Sequence, residues 1–165
     1  MIVISPAKNL NLNSEEYFYN TSQPQFADKT TQLVNRLRDL NVEEISKLMK
    51  ISNNLSKINH QRFQDFTNQK IQKPAAYLFS GDTFNGLNIR SLDKSSVDYA
   101  QDNLRILSGL YGILRPLDLI KPYRLEMGAD MLSILGTDLY KFWENDIISS
   151  LIKDFKNSKD NLLFN

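Results

Sequence analysis

The stretch LRILSGLYGILRPLDLIKPYRLEMG, residues 104–128, carries most of the information about how this chain folds and acts. Gly109 and Gly112 flank two bulky residues, Leu110 and Tyr111, so we expect the backbone to turn sharply there. Between two helices, such a turn exposes N–H groups that grip a DNA phosphate, as in a helix-hairpin-helix element. The same spacing also fits a plain corner between two elements, because two glycines are a weak signal.

Three cations that lie within ten residues of one another follow this turn: Arg115, Lys121 and Arg124. Prolines separate them and keep the backbone bent or extended. Cations on a stiff loop suit a phosphodiester backbone, and Tyr111 and Tyr123 are placed to stack on an unpaired base. The alternative is that Arg124 pairs with Glu126 or Asp118 and that both tyrosines belong to the core, with their hydroxyl groups hydrogen-bonded.

Outside this segment, apolar runs predict two strands. Residues 1–5 predict a buried strand, because residues 1–4 form a continuous apolar run and Pro6 ends the pairing. Lys8 follows at the carboxyl end of that strand, where α/β sheets tend to place ligands. Residues 75–80 predict a second strand, which the Gly81-Asp82 pair ends.

Helical spacing predicts helices that begin near residues 28, 41 and 52, and two more over about 94–104 and 138–155. Asn41 with Glu44 has the spacing of a capping box, and Ser52 and Thr137 are predicted to cap the helices that follow them. These helices and strands together predict a mixed α/β protein.

The third helix is predicted to bury Leu55, Ile58 and Phe63. After the last helix we predict a turn at residues 157–161 and an apolar strand from Leu162. Compact domains seldom end inside a buried strand, so we expect residues 1–165 to be a single domain that is incomplete at its C-terminus.

Composition excludes several classes of chemistry. The chain has 165 residues, no cysteine and one histidine, His60, which excludes thiolate zinc sites and cysteine nucleophiles. A site for Mg²⁺ or Ca²⁺ made of carboxylates alone is not excluded, but no metal and no cofactor is predicted.

The net charge of +1 means that a nucleic-acid surface must be a local patch. No apolar run approaches the roughly 20 residues of a bilayer span and no secretion signal is present, so we expect a cytoplasmic protein without a membrane partner.

Four motifs together resemble the YaaA family of bacterial peroxide-stress proteins, and the resemblance covers the whole chain. They are ISPAK at residues 4–8, KLMKISNNLSKIN at 47–59, LFSGDTFNGL at 78–87 and SGLYGILRPLDLIKPYRLEMG at 108–128.

The resemblance implies a mixed α/β fold, with a central sheet flanked by helices and a helix-hairpin-helix-like element at Gly109–Gly112. It also implies binding of duplex or distorted DNA through a basic cleft, with Lys8, Arg115, Lys121 and Arg124 as candidates beside the two glycines. Members of the family limit oxidative damage under hydrogen peroxide by holding down free iron. They continue past the region matched here, so the resemblance implies that the last strands of the fold are missing. It indicates no obligate protein partner.

Two other functions compete with this one. An enzyme acting on a nucleobase or nucleotide would use Glu126 or Asp82 as general acid or base, with Lys8 as an electrostatic partner. No firm activity attaches to the family, so a non-enzymatic protein is favoured. Direct iron storage is the weakest hypothesis, because the chain lacks cysteine and has no helical Glu-x-x-His pattern.

Overall fold

A computed structural model describes residues 1–17, 19–157 and 162–165 of the chain. Its architecture is mixed α/β with helices flanking the strands, as predicted, but the strands in the described residues form three small sheets where one central sheet was expected. The strands are β1 (Ile2–Ile4), β2 (Asn9–Leu10), β3 (Lys73–Pro74), β4 (Phe79–Ser80), β5 (Leu104–Ser108), β6 (Gly112–Leu114) and β7 (Leu119–Ile120). The helices are α1 (Ala27–Arg38), α2 (Val42–Met49), α3 (Asn53–Gln64), α4 (Ala75–Leu78), α5 (Asp82–Leu87), α6 (Lys94–Asn103), α7 (Leu132–Leu135) and α8 (Leu139–Asn157).

The largest sheet has the strand order β1-β5-β6. β1 runs parallel to β5, with Ile4 opposite Ile106, so both strands end at the same edge of the sheet. β6 returns antiparallel to β5. The strand predicted at the end of the chain is confirmed in part, because Phe164 forms a parallel bridge with Ile2 on the free side of β1. The turn predicted at 157–161 lies almost entirely outside the described residues.

One main core joins the sheet to the helices around it. Trp143 of α8 and Phe63 of α3 are fully buried there, together with Leu33 and Leu37 of α1. Helix α3 packs against both α1 and α2, and the inner side chains of the three helices belong to the same core as Ile106 of β5. This arrangement agrees with the expectation of a sheet flanked by helices.

The predicted caps of two helices are confirmed. The Asn41 side chain accepts the Glu44 N–H at 3.0 Å, and the Glu44 carboxylate accepts the Asn41 N–H at 2.8 Å. The Ser52 hydroxyl accepts the Leu55 N–H at 3.4 Å at the start of α3. The prediction of Thr137 as a cap is wrong, because Asp138 accepts the Lys141 N–H at 2.7 Å instead.

The strand predicted over residues 75–80 is mostly a helical turn. Residues 75–78 form α4 and only Phe79 and Ser80 extend into β4. The N–H groups of Ala75 and Ala76 donate to the carbonyl oxygens of Asp118 and Pro116, both at 2.9 Å. A short run that is buried on every side has no periodicity to distinguish a strand from a helix, which is why the prediction failed.

The buried face of α3 is also not the predicted one. Phe63 is buried, but Leu55 and Ile58 are 39% and 41% exposed, and Asn59 is buried in their place. Asn59 Nδ2 donates to the Leu55 carbonyl oxygen at 2.8 Å within the same helix. Because this bond satisfies the amide donor, the side chain can face the core at little cost.

None of the helices in the described ranges combines the length and the apolar character that crossing a bilayer requires.

A candidate anion-binding site at the edge of the sheet

A cavity of about 390 Å³ opens where β1 and β5 end. Its walls come from the segment after β1, from the end of β5, from residues 123–128 and from Tyr140 of α8. Parallel strands place their carboxyl ends together, and ligands in α/β sheets commonly bind at that edge. The position predicted for Lys8 from the sequence is therefore the position of this cavity.

Two cations share one carboxylate at the mouth of the cavity. Lys8 Nζ lies 3.2 Å from Glu126 Oε2, and Arg124 Nη2 donates to Glu126 Oε1 at 3.1 Å. The side chain of Lys8 is 64% exposed, whereas that of Arg124 is 18% exposed. Because two positive charges meet one negative charge, the group carries a net positive charge that a bound anion can neutralise.

Arg124 also has an unused donor. Its Nε is buried and donates to no acceptor among the described residues. A buried guanidinium N–H without an acceptor is costly, so an acceptor bound in the cavity would stabilise it.

A third cation, Lys50, lies beside the same carboxylate and cations, at the C-terminal end of α2. A smaller cavity of about 290 Å³ adjoins the first and shares Lys8, Arg124 and Glu126 with it, and Lys50 lines its wall. Lys50 is the C-cap of α2 and has the left-handed conformation, with φ of 51°. We refer to Lys8, Lys50 and Arg124 as the cationic cluster. Sequence reasoning missed Lys50 because 42 and 74 residues separate it from the other two.

The floor of the larger cavity carries a pair of hydroxyl groups. Ser108 Oγ and Tyr123 Oη lie 2.7 Å apart, and Ser108 Oγ also accepts the Tyr111 N–H at 2.9 Å. Burial raises the pKa of the Tyr123 phenol far above its usual value, and likewise the pKa of Tyr111. Both phenols are therefore protonated at neutral pH.

The Gly109–Gly112 turn joins strands β5 and β6, so it lies between two strands and not between two helices. It is also buried: Leu110 has no exposed surface and Tyr111 is 4% exposed. A Cβ added at Gly109 would lie 2.4 Å from the Leu125 carbonyl oxygen, so the two segments touch through their backbones. The turn is therefore a corner between two elements, which was the alternative to a helix-hairpin-helix, and its glycines permit close packing.

The remaining predicted cations lie elsewhere. Lys121 Nζ donates to the carbonyl oxygens of Phe66 and Thr67, at 2.6 and 3.0 Å, so it holds the loop that follows α3. Arg115 is exposed in a separate polar groove of about 330 Å³, which Asp118 also lines. The structure brings Lys8 and Arg124 together and separates Lys121 and Arg115 from them.

The predicted stacking of Tyr111 and Tyr123 on a base is wrong, because both rings are 4% exposed and pack edge to face at 5.3 Å between centroids. The alternative, in which they are core residues with bonded hydroxyl groups, is confirmed. Of the two candidate acid–base residues, Glu126 lines the cavity and Asp82, exposed at the start of α5, does not. The described part of the chain contains no group of three or more His, Cys, Asp or Glu placed to hold a metal ion.

Fold and site together define a mixed α/β protein with a cationic cavity at the carboxyl ends of two parallel strands. Comparison with known families identifies the group to which such a protein belongs. The chain belongs to the family described as peroxide stress protein YaaA, whose model matches residues 1–165.

Curated relatives carry the name UPF0246 protein. One from Burkholderia mallei (strain SAVP1) is 44% identical over 159 residues, which cover 94% of this chain and 61% of the relative. A protein of the same name from Alcanivorax borkumensis is 44% identical over 168 residues, covering 100% of this chain and 65% of the relative. The chain therefore spans about three-fifths of the length of these relatives.

Proposed function

We propose that this member of the peroxide-stress family binds DNA through phosphate contacts at the cationic cluster. The observation that carries the proposal is the meeting of three cations at the edge of the main sheet: Lys8 and Arg124 pair with one carboxylate, Glu126, and Lys50 lines the adjoining cavity with them. Three cations against one anion give a local positive patch on a chain whose net charge is only +1. Such a patch attracts a polyanion without reading its sequence.

The ion pairs at this patch do not prevent binding. Lys8 and Glu126 are 64% and 45% exposed, and a salt bridge between exposed side chains contributes about 0–1 kcal/mol. A phosphate can therefore take the place of Glu126 as the partner of Lys8 at little cost. Lys50 forms no salt bridge with any residue in the described part of the chain, so its charge is available to a ligand.

Fluorescence anisotropy with a labelled duplex tests this proposal. We expect Lys8→Gln and Lys50→Gln each to weaken binding about fivefold, whatever the sequence of the duplex, because each removes one phosphate contact. Lys121→Gln is the matched control, since its ammonium group already binds two backbone carbonyls away from the cluster. Equal effects of all three substitutions would reject the assignment of the cluster.

The wider role follows from the family. Bound to DNA, a peroxide-stress protein is placed to limit oxidative damage where free iron would generate it, and we propose this role for the longer proteins of the family and for this chain. Survival of a deletion strain under hydrogen peroxide, complemented with wild-type protein or with Lys8→Gln/Lys50→Gln, tests it. Equal protection by both would separate stress protection from DNA binding.

A second candidate function is an enzyme that acts on a nucleobase or nucleotide. It is favoured by one observation, the position of the Glu126 carboxylate between Lys8 and Arg124 at the mouth of a cavity of about 390 Å³. Incubation with nucleosides, nucleotides and damaged DNA, followed by product analysis, tests this function. The activity must disappear in Glu126→Gln, and the absence of product across that panel would reject it.

A further inference from the structure

We propose that the larger cavity binds one nucleotide unit, with its phosphate at the cationic cluster and its base on the Ser108–Tyr123 floor. This inference rests on the proposed function and goes further, because it assigns a ligand class to the interior of the cavity. A phosphate alone would occupy only the mouth. The cavity volume of about 390 Å³ falls in the range of about 300–1,000 Å³ that is usual for sites of small organic ligands.

The two ends of the cavity differ in charge. The mouth holds the ionised groups Lys8, Arg124 and Glu126, whereas the floor holds two neutral hydroxyl groups. Apolar residues complete the lining: Pro6, Ala7, Leu107 and Leu125. A ligand that matches this lining has an anionic group, a planar body with apolar faces and a neutral edge with hydrogen-bond acceptors. A nucleotide has all three.

A count of protons shows what the floor offers. Ser108 and Tyr123 together carry two hydroxyl protons, and the bond of 2.7 Å between them uses one. Ser108 Oγ already accepts a hydrogen bond from the Tyr111 N–H. The second hydroxyl proton has no acceptor within the described part of the chain, although both residues line the cavity. The floor therefore presents one O–H donor, which matches a carbonyl oxygen or ring nitrogen of a base.

The Nε–H of Arg124, which also lines the cavity, is a second donor without an acceptor among the described residues. Two unused donors beside a cation favour a ligand rich in acceptors. A nucleotide fits this requirement whether it is free or is an unstacked unit of a DNA strand. Unstacking is least costly where the base is already unpaired, so the two sources can be told apart with suitable DNA.

The experiment uses the full chain and two kinds of probe. The four deoxynucleoside 5′-monophosphates and inorganic phosphate are titrated by calorimetry. A duplex with an internal bubble of unpaired bases and a fully paired duplex of the same length are titrated by anisotropy. We expect at least one monophosphate to bind tenfold or more tightly than inorganic phosphate if the site takes free nucleotides. We expect the bubble duplex to bind tenfold more tightly than the paired duplex if it takes a nucleotide within a strand.

Ser108→Ala/Tyr123→Phe removes both hydroxyl groups from the floor. The preference for nucleotide or bubble should then fall to less than twofold, while Lys8→Gln should weaken every anionic probe. If the double variant fails to fold in a thermal melt, the comparison of monophosphate with inorganic phosphate in the wild-type protein still decides the matter. The inference is overturned if no monophosphate exceeds phosphate and the bubble gives no gain. Loss of paired-duplex binding in Lys8→Gln would in that case leave the proposed function standing.

Discussion

The indole Nε1 of Trp143 donates a hydrogen bond of 2.9 Å to the carbonyl oxygen of Gly109. This bond ties α8 to the turn between β5 and β6, and both residues are buried. The turn that the sequence singled out therefore serves the core. Gly109 also packs against the backbone of Leu125, so this corner positions the segment 123–128, which lines the cavity beside it.

Gly112→Ala is expected to lower the free energy of unfolding by about 3 kcal/mol. The residue has φ of +75°, and a Cβ there would lie 2.7 Å from Cε3 of Trp143. A positive φ costs a residue with a Cβ about 1–2 kcal/mol, and the clash adds a similar amount. Urea denaturation measures the loss.

Gly136→Ala is the matched control for that substitution. Gly136 has nearly the same φ, +73°, but a Cβ there would meet nothing within 4 Å. We expect a loss of about 1 kcal/mol, from backbone strain alone. Equal losses at both glycines would contradict the packing of Trp143 on Gly112.

Substitutions in α3 test the corrected orientation of that helix. Ile58→Gln should change the free energy of unfolding by less than about 0.5 kcal/mol, because the side chain is 41% exposed. Phe63→Ala should lower it by about 3–5 kcal/mol, because Phe63 is fully buried. Chemical denaturation compares the two. A large loss at Ile58 would restore the face predicted from the sequence.

The ion pairs of Glu15 should make the free energy of unfolding depend on pH. Its carboxylate binds Arg90 at 2.7 Å and also pairs with the buried Lys73, and these bonds lower the pKa of Glu15. A carboxyl group whose pKa is lowered in the folded state contributes stability above its unfolded pKa of about 4.3 and loses it as the pH falls through the folded pKa.

Glu15→Gln should therefore lower the free energy of unfolding by about 3 kcal/mol at pH 7, because it leaves Lys73 buried without its counter-charge. The difference between variant and wild type should shrink as the pH falls below about 4. Urea denaturation across a pH series measures it, and a difference that is constant with pH would contradict this role for the ion pair.

Lys121 is expected to matter for stability and not for DNA. Lys121→Met removes the bonds to the Phe66 and Thr67 carbonyl oxygens but keeps most of the apolar stem near the Phe66 ring, which lies 5.2 Å from Nζ. We expect a loss of about 1 kcal/mol in the free energy of unfolding. Affinity for duplex DNA should change less than twofold, and a larger change would place Lys121 in the binding surface.

Short-range patterns predicted much of this structure. The Asn41–Glu44 capping box and the Ser52 cap depend on residues three apart, and the sequence therefore contains the whole signal. Lys8 was found because it directly follows a strand whose apolar run is plain. Glu126, two residues along the chain, was one of two carboxylates considered as a partner of Arg124, and it is the one that Arg124 binds.

Features that depend on packing were missed or misassigned. The burial of Asn59 and the exposure of Ile58 depend on how α3 docks, which its spacing does not determine. Lys50 reaches the site only because the end of α2 lies beside the segment 123–128 in the folded chain. The turn at residues 109–112 was predicted correctly, but it joins two strands and not two helices. The spacing of the glycines does not determine which elements flank a turn.

The central claim is that the cationic cluster binds DNA phosphates, and the salt dependence of affinity tests it most directly. The logarithm of the association constant for a duplex should fall linearly with the logarithm of salt concentration, by about 0.9 for each phosphate contact. Lys8→Gln/Lys50→Gln should reduce that slope by about 2, whereas Lys121→Gln should leave it unchanged. A slope in the double variant equal to that of the wild type would contradict the claim.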